Sequence, residues 1–72
     1  MNKMAGYRRA LSMTQKDMAK FLDISLQSYW SKENGRVPFS DIEKVKIKDL
    51  LSPYIEGVTI DDIFFNNKVL KL

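Results

Sequence analysis

The sequence contains no cysteine and no histidine among its 72 residues. Without cysteine there can be no disulfide bond and no thiolate zinc site. Without histidine as well, catalysis would depend on carboxylates, lysines or hydroxyl groups. The adjacent acids Asp61 and Asp62 stand at the start of a predicted helix, where negative charge is favourable, so we assign them a helix-start role. We therefore expect a protein that is not an enzyme and uses no cofactor, metal or small-molecule ligand.

Long hydrophobic runs are also missing. No apolar segment approaches the roughly 18 residues that a membrane span requires, and the first ten residues lack the apolar stretch of a signal peptide. Hydrophobic residues make up 44% of the chain and charged residues 29%, which is typical of a folded globular domain. We expect a single domain over residues 1–72, without a membrane partner, in the cytoplasm.

Signals for helix boundaries are dense, whereas strand signals are weak. Ser25 is a favourable N-cap and Gly35 a natural C-terminal stop. Three further pairs have the spacing of a capping box: Thr14 with Asp17, Ser40 with Glu43, and Thr59 with Asp62. The sequence predicts an all-α fold with helices at about residues 3–11, 15–22, 25–34, 40–52 and 60–65, followed by a tail at 66–72.

Apolar residues recur at helical spacing within these segments, which predicts the side of each helix that faces the core. The predicted inward residues are Met4, Tyr7 and Leu11; Met18, Ala19 and Leu22; and Ile47, Leu50, Leu51 and Tyr54. The short fifth helix contains the apolar residues Ile60, Ile63 and Phe64.

The positive charge is concentrated in the first half of the chain. Residues 1–36 hold seven basic and three acidic side chains, whereas residues 37–72 hold five and six. This distribution suits contact with phosphate, although a solvated surface has the same appearance.

The predicted third helix carries Leu26 and Trp30 four positions apart, so their side chains lie on the same face. Helical phase puts Tyr29 inward and puts Leu26, Gln27, Trp30 and Ser31 on the opposite side. The alternative is that Leu26 and Trp30 belong to the core. An exposed Leu–Trp pair is typical of a protein interface, where tryptophan often anchors binding.

The order of several motifs carries a resemblance that spans about residues 4–65. The motifs are TQKDMA at 14–19, LDIS at 22–25, ENGRVP at 33–38 and VTIDDIF at 58–64. The chain resembles the Cro/CI (XRE-type) helix-turn-helix family. It is most similar in size to small switch proteins of temperate phages, such as the modulator-of-repression (MOR) antirepressors of lactococcal phages. The resemblance implies a compact five-helix lambda-repressor-like domain with its helix-turn-helix at helices 2 and 3, in a bacterial host cell.

The resemblance also implies roles for single residues. Gln15 would bond a phosphate at the start of the second helix, and Ser25 and Gln27 would open the recognition helix. Asn34 and Arg36 would meet the nucleic-acid backbone, and Gln27 suits adenine, which offers both a donor and an acceptor. The alternative is that Gln15 and Gln27 are solvated helix residues. The residues expected to bind DNA or a partner are Gln15, Lys16, Ser25, Leu26, Gln27, Trp30, Ser31, Asn34 and Arg36.

Arg8 and Glu33 match the interhelical ion pair of the family, which ties the first helix to the third. The alternative is that Arg8 is free and contacts phosphate.

Three residues depart from the family pattern. Asp23 replaces the usual glycine in the turn, although aspartate tolerates a left-handed conformation. Lys32 stands at a core position, so its aliphatic chain is expected to lie against the core with its charge in water. Leu26 stands where such repressors often read a base with a polar side chain.

Two functions follow from these features, and an antitoxin role is a further, minor option. The first is an antirepressor of a lysis–lysogeny switch that masks the DNA-binding face of a partner CI-type phage repressor. The second is a Cro-like repressor that places its third helix in the major groove of operator DNA, most simply as a dimer.

Overall fold

Four of the five helices in the described residues begin where the sequence offers a side chain to cap them. The structure, a computed structural model, describes residues 2–65. It contains α1 (Met4–Ala10), α2 (Gln15–Leu22), α3 (Leu26–Glu33), α4 (Asp41–Leu51) and α5 (Ile60–Phe64). The described residues form an all-α, five-helix fold without strands. The tail expected at residues 66–72 lies outside the described residues.

Side-chain caps fix the starts of four helices. The Ser25 hydroxyl accepts a hydrogen bond from the Ser28 N–H at the start of α3. Reciprocal capping boxes, in which each side chain bonds the backbone N–H of the other residue, open α2, α4 and α5. They are Thr14 with Asp17, Ser40 with Glu43, and Thr59 with Asp62.

The first helix begins differently, because Lys3 provides no side-chain cap. The N–H of Met4 instead donates to Asn2 Oδ1 over 3.0 Å, and the N–H of Lys3 donates to the carbonyl of Ile63 over 2.9 Å. The start of α1 is therefore held against α5. Four of the five helices are one or two residues shorter than predicted, because the predicted ranges included the capping residues, which flank the helices.

The turn between α2 and α3 depends on Asp23, which adopts the left-handed conformation with φ 59° and ψ 45°. This confirms that an aspartate can close the turn in place of glycine. The resulting helix–turn–helix packs α2 against α3.

The core confirms most of the predicted inward residues. Tyr7, Leu11, Leu50 and Ile60 are partly buried rather than fully buried. The core also includes Phe39 and Val58, which the helical pattern did not predict because both lie in loops. Phe39 packs between Tyr29 and Phe64, with ring centroids 6.1 and 5.1 Å away. The buried hydrophobic residues are Met4, Met18, Ala19, Leu22, Tyr29, Phe39, Ile47, Leu51, Val58, Ile63 and Phe64.

Tyr54 is the wrong prediction among the inward residues, since 70% of it is exposed. The helical phase that would bury it ends at Leu51, because Pro53 cannot continue the helix. Ile55 packs against the core from this loop instead. Within residues 2–65, no helix combines the length and hydropathy needed to cross a membrane.

Candidate interaction surface

The inner side of α3 is fixed by one buried carboxylate, that of Glu33. It accepts hydrogen bonds from Arg8 Nε at 2.7 Å, Arg8 Nη2 at 3.3 Å, the Tyr29 hydroxyl at 2.7 Å and Gln15 Nε2 at 2.8 Å. The remaining guanidinium nitrogen of Arg8 donates to the carbonyl of Met13 over 2.9 Å. These bonds tie α1, α2 and α3 to a single group. The ion pair expected between Arg8 and Glu33 is therefore present, and Arg8 is not a free phosphate contact.

The electrostatics of this cluster stabilise the charged forms of Arg8 and Glu33. Burial alone would raise the pKa of Glu33, but hydrogen bonds from Arg8, Tyr29 and Gln15 outweigh it and lower the pKa below its ordinary value. The hydrogen bond to Glu33 raises the pKa of Arg8. Burial, followed by the hydrogen bond to Glu33, raises the pKa of the Tyr29 hydroxyl. The cluster therefore keeps a full ion pair at neutral pH.

The outer side of α3 carries the Leu–Trp pair. Leu26 is 50% exposed and Trp30 is 40% exposed, while Tyr29 between them is completely buried. The structure therefore excludes the alternative that both residues belong to the core. Gln27 is exposed beside them, and Ser31 is partly buried. We use the name α3 surface for the residues Leu26, Gln27, Trp30, Ser31, Asn34 and Arg36.

Trp30 is held in place by the residues that follow α3. The guanidinium carbon of Arg36 lies 5.0 Å from the centre of the Trp30 ring, in a cation–π contact. Asn34 Nδ2 donates to the carbonyl of Trp30 over 2.8 Å, and the N–H of Arg36 donates to the carbonyl of Ser31 over 2.9 Å. The apolar ring and the positive charge are thus presented together. Sequence reasoning placed both residues at the site but did not predict this stacking.

Several expected site residues lie elsewhere or are already engaged. Ser25 is exposed, and its hydroxyl oxygen caps α3. Gln15 is partly buried, and its amide nitrogen is bonded to Glu33. Lys16 is exposed on α2. The phosphate contact of Gln15 stays a prediction, and it would have to be made by the rest of the amide group.

Lys32 departs from its expected behaviour. Its Nζ does not end in water but lies 2.6 Å from Glu43 Oε1, with both side chains mostly buried. Burial would raise the pKa of Glu43, but the hydrogen bonds from Lys32 and Ser40 lower it overall. Asn2 Nδ2 adds a bond to the Lys32 carbonyl over 3.1 Å. This ion pair joins α3 to α4. The sequence signal that could have predicted it is the presence of two opposite charges, Lys32 and Glu43, at core-facing positions.

The described residues offer no metal site, since no three acidic side chains among residues 2–65 come close enough together to hold an ion. Comparison of the chain with protein-family models, curated proteins and solved structures gave no match.

Proposed function

We propose that the chain is a small helix-turn-helix regulator of a phage lysis–lysogeny switch, and that it acts as an antirepressor. In this proposal the α3 surface covers the DNA-binding face of a CI-type repressor. The observation that carries the proposal is the exposure of Leu26 and Trp30 on the outer side of a helix whose inner side is firmly fixed. A major groove offers such a pair little beyond thymine methyl groups.

Burial of Leu26 and Trp30 alone does not supply enough free energy for a stable complex. Full burial of a large apolar side chain contributes about 1.5–3 kcal/mol. Leu26 and Trp30 are already about half buried, so together they can add roughly 1.5–3 kcal/mol. A micromolar complex requires about 8 kcal/mol. The partner must therefore also contact the polar part of the α3 surface, with Leu26 and Trp30 as the anchors at its centre.

Charge distinguishes a protein partner from DNA. Arg36 gives the α3 surface a positive charge, and the DNA-binding face of a repressor is basic as well. Apolar contact must then drive the complex against repulsion, which added salt screens. DNA binding instead weakens steeply with added salt, because bound counterions are released. The two functions therefore predict salt dependences of opposite sign.

The second candidate function is a Cro-like repressor that binds operator DNA directly. It is favoured by the exposed Gln27 in the first turn of α3, a residue type that reads adenine, with Arg36 and Lys16 available for phosphates. In this case Gln27→Ala relaxes sequence preference. Arg36→Ala and Lys16→Ala weaken binding to all sequences and reduce its salt dependence.

One experiment tests both functions on the same protein. Calorimetric titration uses the CI-type repressor encoded beside this gene, and a gel shift uses the promoter region of the gene. For the antirepressor, Trp30→Ala abolishes repressor binding and leaves the circular-dichroism melting curve nearly unchanged. Tyr54→Ala is the matched control, because it removes an exposed aromatic ring from another part of the surface.

Two results would overturn the antirepressor proposal. One is repressor affinity that Trp30→Ala leaves unchanged. The other is a salt-sensitive gel shift in a protein that does not bind the repressor. Gln15→Ala is a poor probe of either function, because it also removes a hydrogen bond to Glu33.

A further inference from the structure

Helix α4 has an outer face with exposed apolar residues. Ile42 is 74% exposed and Val45 is 48% exposed, whereas Ile47 and Leu51 on the opposite side of the helix are completely buried. A depression of about 300 Å³ lies on this face, lined by Asp41, Ile42, Val45 and Lys46. An isoleucine exposed to this degree beside a valine is the kind of apolar patch that marks an interface. This face belongs to a different helix from the α3 surface.

The charges around this face are arranged to complement themselves. Asp41 lies in the first turn of α4 and Lys48 in the last turn. Asp41, Val45 and Lys48 are separated by four and three positions, so they follow one side of the helix. In an antiparallel pair of such helices, Asp41 of each copy lies beside Lys48 of the other. A parallel pair would instead place like charges together.

We propose that this outer face of α4 binds the same face of a second copy of the chain, with the two helices antiparallel. Val45 then lies near the two-fold axis and contacts its counterpart, and Ile42 packs against the methylene chain of Lys46 from the other copy. Asp49 approaches the start of the second α4, where negative charge is favourable. This proposal does not depend on the proposed function of the α3 surface.

The remaining charges do not oppose this pairing. Asp41 and Asp49 balance Lys46 and Lys48 on the α4 face. The Lys46 ammonium group lies 5.9 Å from the centre of the Phe21 ring on α2. It is thereby directed toward its own chain, which separates the two Lys46 charges. A second copy therefore fits this face by charge as well as by apolar contact.

Analytical ultracentrifugation over micromolar to millimolar concentrations tests the pairing. The unmodified chain is expected to show a monomer–dimer equilibrium. Ile42→Glu should raise the dimer dissociation constant roughly tenfold or more, because it places unpaired carboxylates in the interface. Leu26→Glu is the matched control, since it adds the same charge at a half-exposed leucine on the α3 surface and should leave the dissociation constant unchanged. Circular dichroism of each variant verifies the fold.

A charge exchange tests the antiparallel orientation. Asp41→Lys and Lys48→Asp each weaken the dimer, and the double variant restores it. A chain that stays monomeric at millimolar concentration would overturn the proposal. So would a dimer that Leu26→Glu dissociates and Ile42→Glu does not, or a folded double variant without restored pairing.

Discussion

Glu33 accepts four hydrogen bonds from three helices, which makes it the residue whose removal should cost most. We predict that Glu33→Ala lowers the free energy of unfolding by about 3–5 kcal/mol, because it leaves the buried Arg8 guanidinium without its anion. A domain of this size has a total stability of roughly 4–11 kcal/mol, so the variant will be close to unfolding. Urea denaturation followed by tryptophan fluorescence measures the change, since Trp30 is the single tryptophan of the chain.

Glu56→Ala is the control for this experiment, because Glu56 is an exposed acid. Its removal should change the free energy of unfolding by less than about 0.5 kcal/mol. A loss below about 1 kcal/mol in Glu33→Ala is what an exposed pair would give, and it would contradict the structural role assigned here.

Contacts between residues that are far apart in sequence could be predicted only in part. The pair of Arg8 and Glu33 followed from a family resemblance, and the exposure of Trp30 followed from helical phase. The bond from Gln15 to Glu33 joins residues 18 positions apart, and that from Lys32 to Glu43 joins residues 11 apart. Each depends on how helices pack, which no local pattern specifies.

The turn between α2 and α3 allows a test of how backbone conformation at a single residue affects stability. Asp23 has a φ of 59°, a conformation that costs a β-branched residue about 1–2 kcal/mol. Asp23→Val should therefore lower the stability by about that amount, and Asp23→Gly should maintain or raise it, because glycine adopts this conformation without strain. Thermal melts of the two variants and the unmodified chain measure both effects.

Position 20 provides a control for these melts, because Lys20 is exposed within α2 and helical. Lys20→Gly should lower stability by about 1 kcal/mol, the usual cost of glycine inside a helix. Equal losses of stability in Asp23→Gly and Lys20→Gly would contradict this prediction, because glycine would then cost as much in the left-handed turn as it does inside a helix.

The starts of helices could be predicted better than their ends and loops. The three capping boxes and Ser25 gave the starts of four helices because a cap is a local interaction within four residues. The prediction that Tyr54 faces the core was wrong, because it continued the helical periodicity of α4 past Pro53. Phe39 and Val58 were missed because loops have no periodicity that identifies an inward side chain.

The molecule as a whole should lose stability in acid. The pKa values of Glu33 and Glu43 lie below their ordinary value of 4.5, and hydrogen bonds to Thr14 lower the pKa of Asp17 as well. The unfolded chain therefore takes up protons before the folded chain does. The stability from these groups is fully present above about pH 4.5 and is lost as the pH falls through the lower folded pKa values.

We expect the melting temperature to be nearly constant from pH 7 to about pH 5 and to fall below that. Glu33→Gln should have a lower melting temperature at pH 7 but a shallower decline in acid. The reason is that the variant has no carboxylate at position 33 that takes up a proton on unfolding. A decline as steep as that of the unmodified chain would mean that Glu33 does not contribute to the acid sensitivity.

The two long sides of helix α3 differ in how strongly the fold restricts their residues. Tyr29 and Glu33 are committed to the core, whereas Leu26, Gln27 and Trp30 are exposed. Exposed positions usually tolerate substitution within about 0.5 kcal/mol, so selection can rewrite the outer half while the inner half stays the same. A duplicated gene for this domain could therefore change the chemistry of the outer side of α3 through two or three mutations in a single helix, with the scaffold inherited unchanged.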